Sequence, residues 1–168
     1  YWELCRKYGV ECSDVWYKES PDKVRISKCG NYEVWWDRHV ETPGRKRKKV
    51  LKDGEPDVKH NKPDVIIIDK RNKYWTIVDF SVPIDQNVEV KEKEKIERYS
   101  DLADEIRDMY HVKTKIVPLV VGALGVVSQN FKPYLNSLDI PNSQNVFRCM
   151  QVTAVLGTAI ILRKVLNC

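Results

Sequence analysis

The sequence predicts a mixed α/β fold in which helices pack on a sheet that begins as a three-stranded meander. The chain has 168 residues, the size of one domain with a single hydrophobic core. Short apolar runs bounded by turn residues alternate with longer segments in which apolar residues recur every three or four positions. Their order along the chain is α-β-β-β-α-β-α-α, which indicates a mixed α/β sandwich.

The first half of the chain supplies one helix and three strands. Residues 1–18 begin with apolar side chains at helical spacing before the helix stop at Gly9, so we predict a helix there. Residues 32–42 are rich in aromatic and β-branched side chains and form the first predicted strand. Two buried-strand runs, 65–68 and 75–78, are joined by a polar, turn-like loop, and this pattern predicts a β-hairpin.

The second half supplies three helices and one strand. Residues 88–110 form a charged helix with one apolar face that is expected to pack on the sheet. Residues 115–121 read as a strand, 130–138 as a short helix and 146–166 as a final long helix with an apolar stripe. A mixed α/β sandwich therefore accounts for every periodic segment.

The positive charge of the chain is concentrated in one run. Lys and Arg number 29 against 24 Asp and Glu, a net charge of +5, yet residues 45–52 alone carry six positive charges. Such a run is usually a solvated, mobile loop, with or without a partner, and its local density favours contact with a polyanion. We predict a basic flexible loop over 44–60. Six residues of this loop and Lys62, just beyond it, are the expected contacts with nucleic acid. The six are Arg45, Lys46, Arg47, Lys48, Lys49 and Lys52.

Several classes of protein are disfavoured by composition. The longest apolar stretch, 149–162, is interrupted by polar residues and shorter than the roughly 20 residues of a bilayer span, so no membrane partner is expected. Five cysteines without a CxxC pair argue against a disulfide framework or a zinc site. Because the chain starts at Tyr1, we expect a single domain over 1–168 that is a fragment of a longer protein.

Two carboxylates are predicted to meet at one edge of the sheet. Lys62-Pro63-Asp64 directly precedes the first hairpin strand, and Asp79 closes the second strand fifteen residues later. Antiparallel pairing brings the two side by side, and an acidic side chain at the end of an apolar strand face must be paired, solvated or bound to metal. Metal binding and simple strand-end capping both remain possible. Two carboxylates, a backbone carbonyl and waters suit Mg²⁺.

The helix over 88–110 adds a lysine and a tyrosine on one face. Tyr99 lies on its apolar stripe, and Lys95 falls one turn earlier. Lys95 either extends along the core with its ammonium in water or delivers its ammonium to the carboxylates. The two aspartates expected at the same edge favour delivery.

These residues resemble a known nuclease signature. Lys62-Pro63-Asp64, Asp79 and the run from Lys95 to Tyr99 resemble the PD-(D/E)XK pattern. Almost the whole chain looks like the restriction-like endonuclease domain at the C-terminal end of reverse transcriptases of non-LTR retrotransposons. Three stretches carry this likeness: Trp2-Glu3-Leu4-Cys5-Arg6-Lys7-Tyr8-Gly9, Val78-Asp79-Phe80-Ser81-Val82-Pro83 and Val120-Val121-Gly122-Ala123-Leu124-Gly125.

The resemblance implies a fold, an activity and partners. The fold is a restriction-endonuclease-like α-β-β-β-α-β core with additional C-terminal helices. The activity is a Mg²⁺-dependent DNA endonuclease, with Mn²⁺ as a possible substitute, that nicks target DNA so that the exposed 3′-hydroxyl primes reverse transcription. The implied partners are target DNA and the upstream reverse transcriptase and zinc-knuckle regions of the same polyprotein, with the RNA of the retrotransposon as an optional further partner. The implied location is the nucleus.

The resemblance also implies roles for individual residues. Asp64 and Asp79 would hold the metal, with the carbonyl of Phe80 as a further ligand. The family pattern places a lysine where this chain has Ser81, so Lys95 takes that role, activating water, and Lys93 is the fallback.

Tyr99, Glu3 and the Trp35-Trp36 pair each keep two interpretations. Tyr99 would hydrogen-bond the lysine or a phosphate, or serve only as a core aromatic. Glu3 is either a further metal contact or an exposed helix carboxylate. Of Trp35 and Trp36, one is expected in the core, although the pair could stack on bases.

Two rival functions follow from other features. A catalytically inactive nucleic-acid-binding module predicts salt-sensitive binding that survives loss of both aspartates, without cleavage. A protein-interaction domain that uses the apolar C-terminal helix predicts stable self-association.

Overall fold

The computed structural model describes residues 1–13, 18, 20–41 and 60–166, and within them it has a mixed α/β fold of four helices and five strands. The predicted fold class is confirmed at this level. In chain order the elements are α1 Trp2–Lys7, β1 Val24–Ile26, β2 Tyr32–Trp36, β3 Val65–Asp69, β4 Tyr74–Ser81, α2 Val88–Tyr110, β5 Lys113–Val120, α3 Phe131–Ser137 and α4 Ser143–Leu166.

The five strands form one mixed sheet in the order β1-β2-β3-β4-β5. The first four are consecutive antiparallel neighbours. The last strand runs parallel to β4, since the N–H of Lys113 donates to the carbonyl of Lys73 (2.8 Å) and the N–H of Val121 to that of Ser81 (3.0 Å). A parallel neighbour needs a long crossover, and α2 supplies it.

The first 40 residues differ from the sequence prediction at two places. β1 was not predicted, because a three-residue strand carries too little alternation to be recognised. β2 ends at Trp36 rather than at residue 42, since Asp37 has a φ of 44°, outside the strand region. The predicted helix stop at Gly9 is confirmed, since α1 ends at Lys7 and Gly9 follows with a φ of 63°.

The chain divides into two compact units, and the first comprises Tyr1–Val78 and Glu97–Ile116. Its core joins the alternate residues of β3 and β4 to the apolar stripe of α2. The members are Val40, Ile66, Ile68, Trp75, Ile77, Tyr99, Leu102, Ala103 and Ile106. The predicted boundaries of α2 and its predicted apolar face are confirmed. This part of the chain fixes the hairpin of β3 and β4 within a closely packed interior.

The second unit comprises Asp79–Ile96 and Val117–Cys168. Its interior includes Val117 and Val120 of β5 and Phe131 and Leu135 of α3. The rings of Phe131 and Phe147 lie 5.5 Å apart and join α3 to α4.

The loop after β5 is fixed by hydrogen bonds on two sides. The N–H of Leu124 donates to Oδ1 of Asp85 (3.0 Å), and Thr158 of α4 donates to the carbonyl of Ala123 (2.9 Å). Gly122 is required here, because a Cβ at this position would lie 2.2 Å from the same carboxylate oxygen and 3.1 Å from Cα of Asp85.

Candidate active site

A buried ion pair joins strand β4 to helix α2 in the second unit. Asp79 is 2% exposed and Nζ of Lys95 contacts its Oδ2, with the lysine side chain 13% exposed. Lys95 reaches this carboxylate because it lies one turn before Tyr99 on the inward face of α2. A carboxylate inside an apolar strand is costly to desolvate, and the ammonium supplies the compensating charge.

Asp64 lies at the start of the first hairpin strand. It is half-buried, and its carbonyl accepts a hydrogen bond from the N–H of Asp37 (2.8 Å). In the register of the hairpin, Val65 faces Val78. Asp64 directly precedes the first of these valines and Asp79 directly follows the second, as the hairpin prediction required.

Tyr99 and Lys62 are joined in the first unit. Tyr99 is 4% exposed within the core, and its hydroxyl donates to the carbonyl of Lys62 (3.3 Å). Of the two predicted roles, the structure therefore places the ring in the core and gives the hydroxyl a backbone partner. The ammonium of Lys62 lies 2.6 Å from Oδ1 of Asp37.

Asp37 is a site residue that sequence reasoning missed. Its carboxylate accepts hydrogen bonds from Lys23 (2.8 Å between Nζ and Oδ2) and pairs with Lys62. The hydrogen bonds from Lys23 and then from Lys62 lower the pKa of Asp37 to about 2. The one available signal was an Asp inside the predicted strand over 32–42, a residue type that is depleted in strands and tolerates left-handed backbone. Nothing in the sequence links it to a lysine 25 positions later.

Three other predicted site residues are Glu3, Lys93 and Phe80. Glu3 pairs with Arg6 on the same helix (2.5 Å), and both side chains are more than two-fifths exposed, which matches its reading as an exposed helix carboxylate. Lys93 is exposed on α2. Phe80 lies half-buried in β4, directly after Asp79, so its carbonyl is adjacent in the chain to the predicted metal ligand.

Both tryptophans of the pair are half-buried, and one of them packs against the core. Trp35 packs against the core of the first unit, with its ring 5.5 Å from that of Trp75 and the Arg38 guanidinium 4.3 Å from its ring centre. The ring of Trp36 lies 5.0 Å from that of Tyr1.

A second buried carboxylate in the second unit was not predicted. Glu92 of α2 accepts hydrogen bonds from Ser128 Oγ and from Asn130 Nδ2, the latter at 2.8 Å. Burial, with the nearby charge of Glu92, raises the pKa of Tyr134. Both Glu92 oxygens have donors, so this side chain ties α2 to the segment before α3.

The donor atoms of the predicted metal site fit Mg²⁺ in kind. Asp64, Asp79 and the Phe80 carbonyl offer oxygen atoms alone, and Mg²⁺ usually takes one or two carboxylates and keeps several waters. Among the residues that the structure describes, no three His, Cys, Asp or Glu side chains form a metal-binding group. The predicted basic contacts Arg45, Lys46, Arg47, Lys48, Lys49 and Lys52, and all of the 44–60 loop except His60, lie outside the described residues.

Helix α4 exposes much of its apolar surface. Ile161, Val165 and Leu166 are each more than 60% exposed. Within the described residues, α4 alone is long and apolar enough to cross a membrane by length and composition, at 24 residues. The predicted limit of the apolar stretch to 14 residues, 149–162, is therefore wrong, because the helix begins before Cys149 and continues past Leu162. The absence of a membrane partner stays a prediction.

Comparison with protein-family models and with curated proteins found no match for this chain.

Proposed function

We propose that this chain is a Mg²⁺-dependent DNA endonuclease with a restriction-endonuclease-like core. The buried pair of Asp79 and Lys95 carries the proposal. Apolar residues in place of a buried ion pair are often neutral or stabilising, so stability alone gives little reason to keep one. A charged pair that interrupts the apolar interior is the kind of exception expected at a functional site.

The order of elements supports the same core. From α1, the strands β2, β3 and β4, then α2 and β5 follow the order α-β-β-β-α-β. β1 is an additional edge strand, and α3 and α4 are the additional C-terminal helices.

The proposed chemistry is hydrolysis of a phosphodiester. Bound Mg²⁺ would polarise the phosphate and stabilise the leaving oxygen. Asp64, Asp79 and the Phe80 carbonyl would hold the ion. Lys95, already on the carboxylate of Asp79, would orient the attacking water, favour loss of its proton to bulk solvent through the positive charge, and balance charge that develops on the phosphate.

The proposed substrate is target DNA, nicked to give a 3′-hydroxyl primer for reverse transcription in the nucleus. The basic run 45–52 and Lys62 would follow the phosphate backbone, which makes binding steeply dependent on salt. Upstream reverse transcriptase and zinc-knuckle regions, and the element RNA, are the proposed partners. The proposed role in reverse transcription is supported by the resemblance of Asp64, Asp79 and Lys95 to the PD-(D/E)XK pattern, together with the likeness of almost the whole chain to retrotransposon endonuclease domains.

The experiment is a nicking assay on supercoiled plasmid with Mg²⁺ or Mn²⁺. Wild type is expected to nick, and Asp64→Asn, Asp79→Asn and Lys95→Met each to lose at least about a hundredfold in rate, the range of a metal ligand or proton-transfer group. Circular dichroism establishes that each variant is folded.

Matched controls use the exposed face of α2. Asp101→Asn removes a carboxylate and Lys93→Met a lysine, both exposed, and both are expected to nick like wild type. Loss of nicking in Lys93→Met but not in Lys95→Met would transfer the lysine role to Lys93. Equal nicking by wild type and both aspartate variants would refute the nuclease proposal.

Two outcomes identify the rival functions. Salt-sensitive DNA binding that survives both aspartate substitutions, without cleavage in either metal, would establish an inactive binding module. Self-association on a sizing column without DNA binding would favour a protein-interaction domain that uses the exposed face of α4.

A further inference from the structure

We infer that Asp37 is a positioning residue that holds the Lys62-Pro63-Asp64 segment in place for metal binding. The inference rests on the proposed function and deepens it. Asp37 contacts the segment on both sides of its proline. Its N–H donates to the carbonyl of Asp64 (2.8 Å), and its Oδ1 lies 2.6 Å from Nζ of Lys62.

The backbone of Asp37 makes this double contact possible. Regular pairing of β2 with β3 ends at Trp36 and Val65, and the N–H of Asp37 still bonds Asp64, the next residue in the same register. The φ of 44° at Asp37 then redirects the chain that follows it. Three positions later the N–H of Val40 donates to the carbonyl of Asn61 (2.8 Å). Backbone hydrogen bonds therefore join residues 37–40 to residues 61–64 at both ends.

A second anchor holds the same segment from the core. The hydroxyl of Tyr99 donates to the carbonyl of Lys62 (3.3 Å), and Tyr99 is buried on α2. Lys62 is thus held by its side chain from Asp37 and by its backbone from Tyr99. Pro63 fixes its own φ and restricts Lys62, so Asp64 leaves the segment with a defined direction.

The ion pairs of Asp37 contribute more to geometry than to stability. The side chains of Asp37 and Lys62 are each about two-fifths exposed, at 43% and 40%, and exposed ion pairs contribute little to the free energy of unfolding. Residues that orient metal ligands typically change metal affinity or activity by 10- to 100-fold when they are replaced, as an order of magnitude. Removal of Asp37 should therefore weaken metal binding more than folding.

The test compares Asp37→Asn and Asp37→Gly with wild type. Both replacements suit a positive φ. Asn keeps an acceptor for Lys62, whereas Gly keeps only the backbone N–H. Asp139→Asn is the matched control, since Asp139 is also exposed and has a φ of 50°.

Two measurements are made on each variant. Amide hydrogen exchange at Val40 reports the pairing with Asn61 and is expected to be about tenfold faster in Asp37→Gly. The Mg²⁺ concentration for half-maximal nicking is expected to rise about tenfold in Asp37→Gly and less in Asp37→Asn, with the rate at saturating Mg²⁺ within about twofold of wild type. Asp139→Asn should match wild type in both measurements.

The outcomes separate this inference from the nuclease proposal. Unchanged exchange at Val40 in Asp37→Gly overturns the positioning role whether or not the protein cleaves DNA. An unchanged Mg²⁺ midpoint in a protein that does cleave overturns it as well and leaves the nuclease proposal standing. If wild type cleaves in neither metal, the nuclease proposal and the metal-binding consequence fail together, and the exchange result alone then decides whether Asp37 holds the segment.

Discussion

Replacing Lys95 by Met should destabilise the protein strongly. The substitution removes the ammonium from a carboxylate that is 2% exposed and leaves the rest of α2 unchanged, since Met is also a good helix former. The lysine side chain is 13% exposed and that of Asp79 is 3% exposed, so the pair is screened little by water.

The expected loss follows from that burial. Removing one partner of a buried ion pair costs about 3–5 kcal/mol of unfolding free energy, and the partial exposure of Lys95 places this pair near 3 kcal/mol. With a urea slope of about 2 kcal/mol/M for a small domain, the unfolding midpoint should fall by roughly 1.5 M. Lys91→Met is the control on the same helix, because its pair with Glu94 is more than one-third exposed and should change the midpoint by less than about 0.5 M.

The assay is urea unfolding followed by the fluorescence of the five tryptophans. The double variant Asp79→Asn with Lys95→Met should regain most of the lost stability, since it removes both charges at once. A fall of less than about 0.3 M in Lys95→Met, or a double variant as unstable as Lys95→Met alone, would refute the reasoning.

Three further predictions concern other contacts. Gly122→Ala should lose about 1–3 kcal/mol of unfolding free energy, measured by urea unfolding, because its Cβ meets the carboxylate that fixes the loop. Gly157→Ala is the control, and it should gain up to about 1 kcal/mol because the space around its Cβ is open. The hydrogen bond from Ser27 is the main cause that lowers the pKa of the exposed Cys29 thiol, so Ser27→Ala should slow its alkylation at neutral pH; an unchanged rate would contradict this. The pKa of Asp37 falls from an ordinary 3.8 to about 2, so the contribution of its carboxylate to stability is present above pH 4 and is lost as the pH falls towards 2. Asp37→Asn should remove that part of the acid dependence when thermal unfolding is measured over a series of pH values.

Local periodicity was sufficient to predict the hairpin and the long helix. The boundaries of α2 at Val88 and Tyr110 match the prediction, and β3 and β4 extend the predicted runs by a few residues. These elements are recognisable because their own residues supply the buried face, through alternation in the strands and three- and four-residue spacing in the helix.

The elements that sequence reasoning missed depend on distant partners. β1 has three residues and becomes a strand by pairing with β2, and β2 ends early because the positive φ of Asp37 lies outside the strand region. The first event leaves no mark in the local pattern, and the second leaves only the aspartate itself. Aromatic and β-branched residues near residue 40 resemble a strand whether or not a partner is present.

The sequence by itself determined the fold class and the hairpin between residues 65 and 78, since these follow from spacing along the chain. It also offered Lys95 and Asp79 as candidates for one site, through the expected sheet edge and the resemblance of their pattern to the PD-(D/E)XK signature. Only the tertiary structure decided which donors meet which acceptors. Asp37 and Lys62 are 25 positions apart, Tyr99 and Lys62 are 37 apart, and Glu92 and Ser128 are 36 apart. Such hydrogen bonds arise when packed strands and helices bring remote side chains together, and spacing within one element carries no information about them.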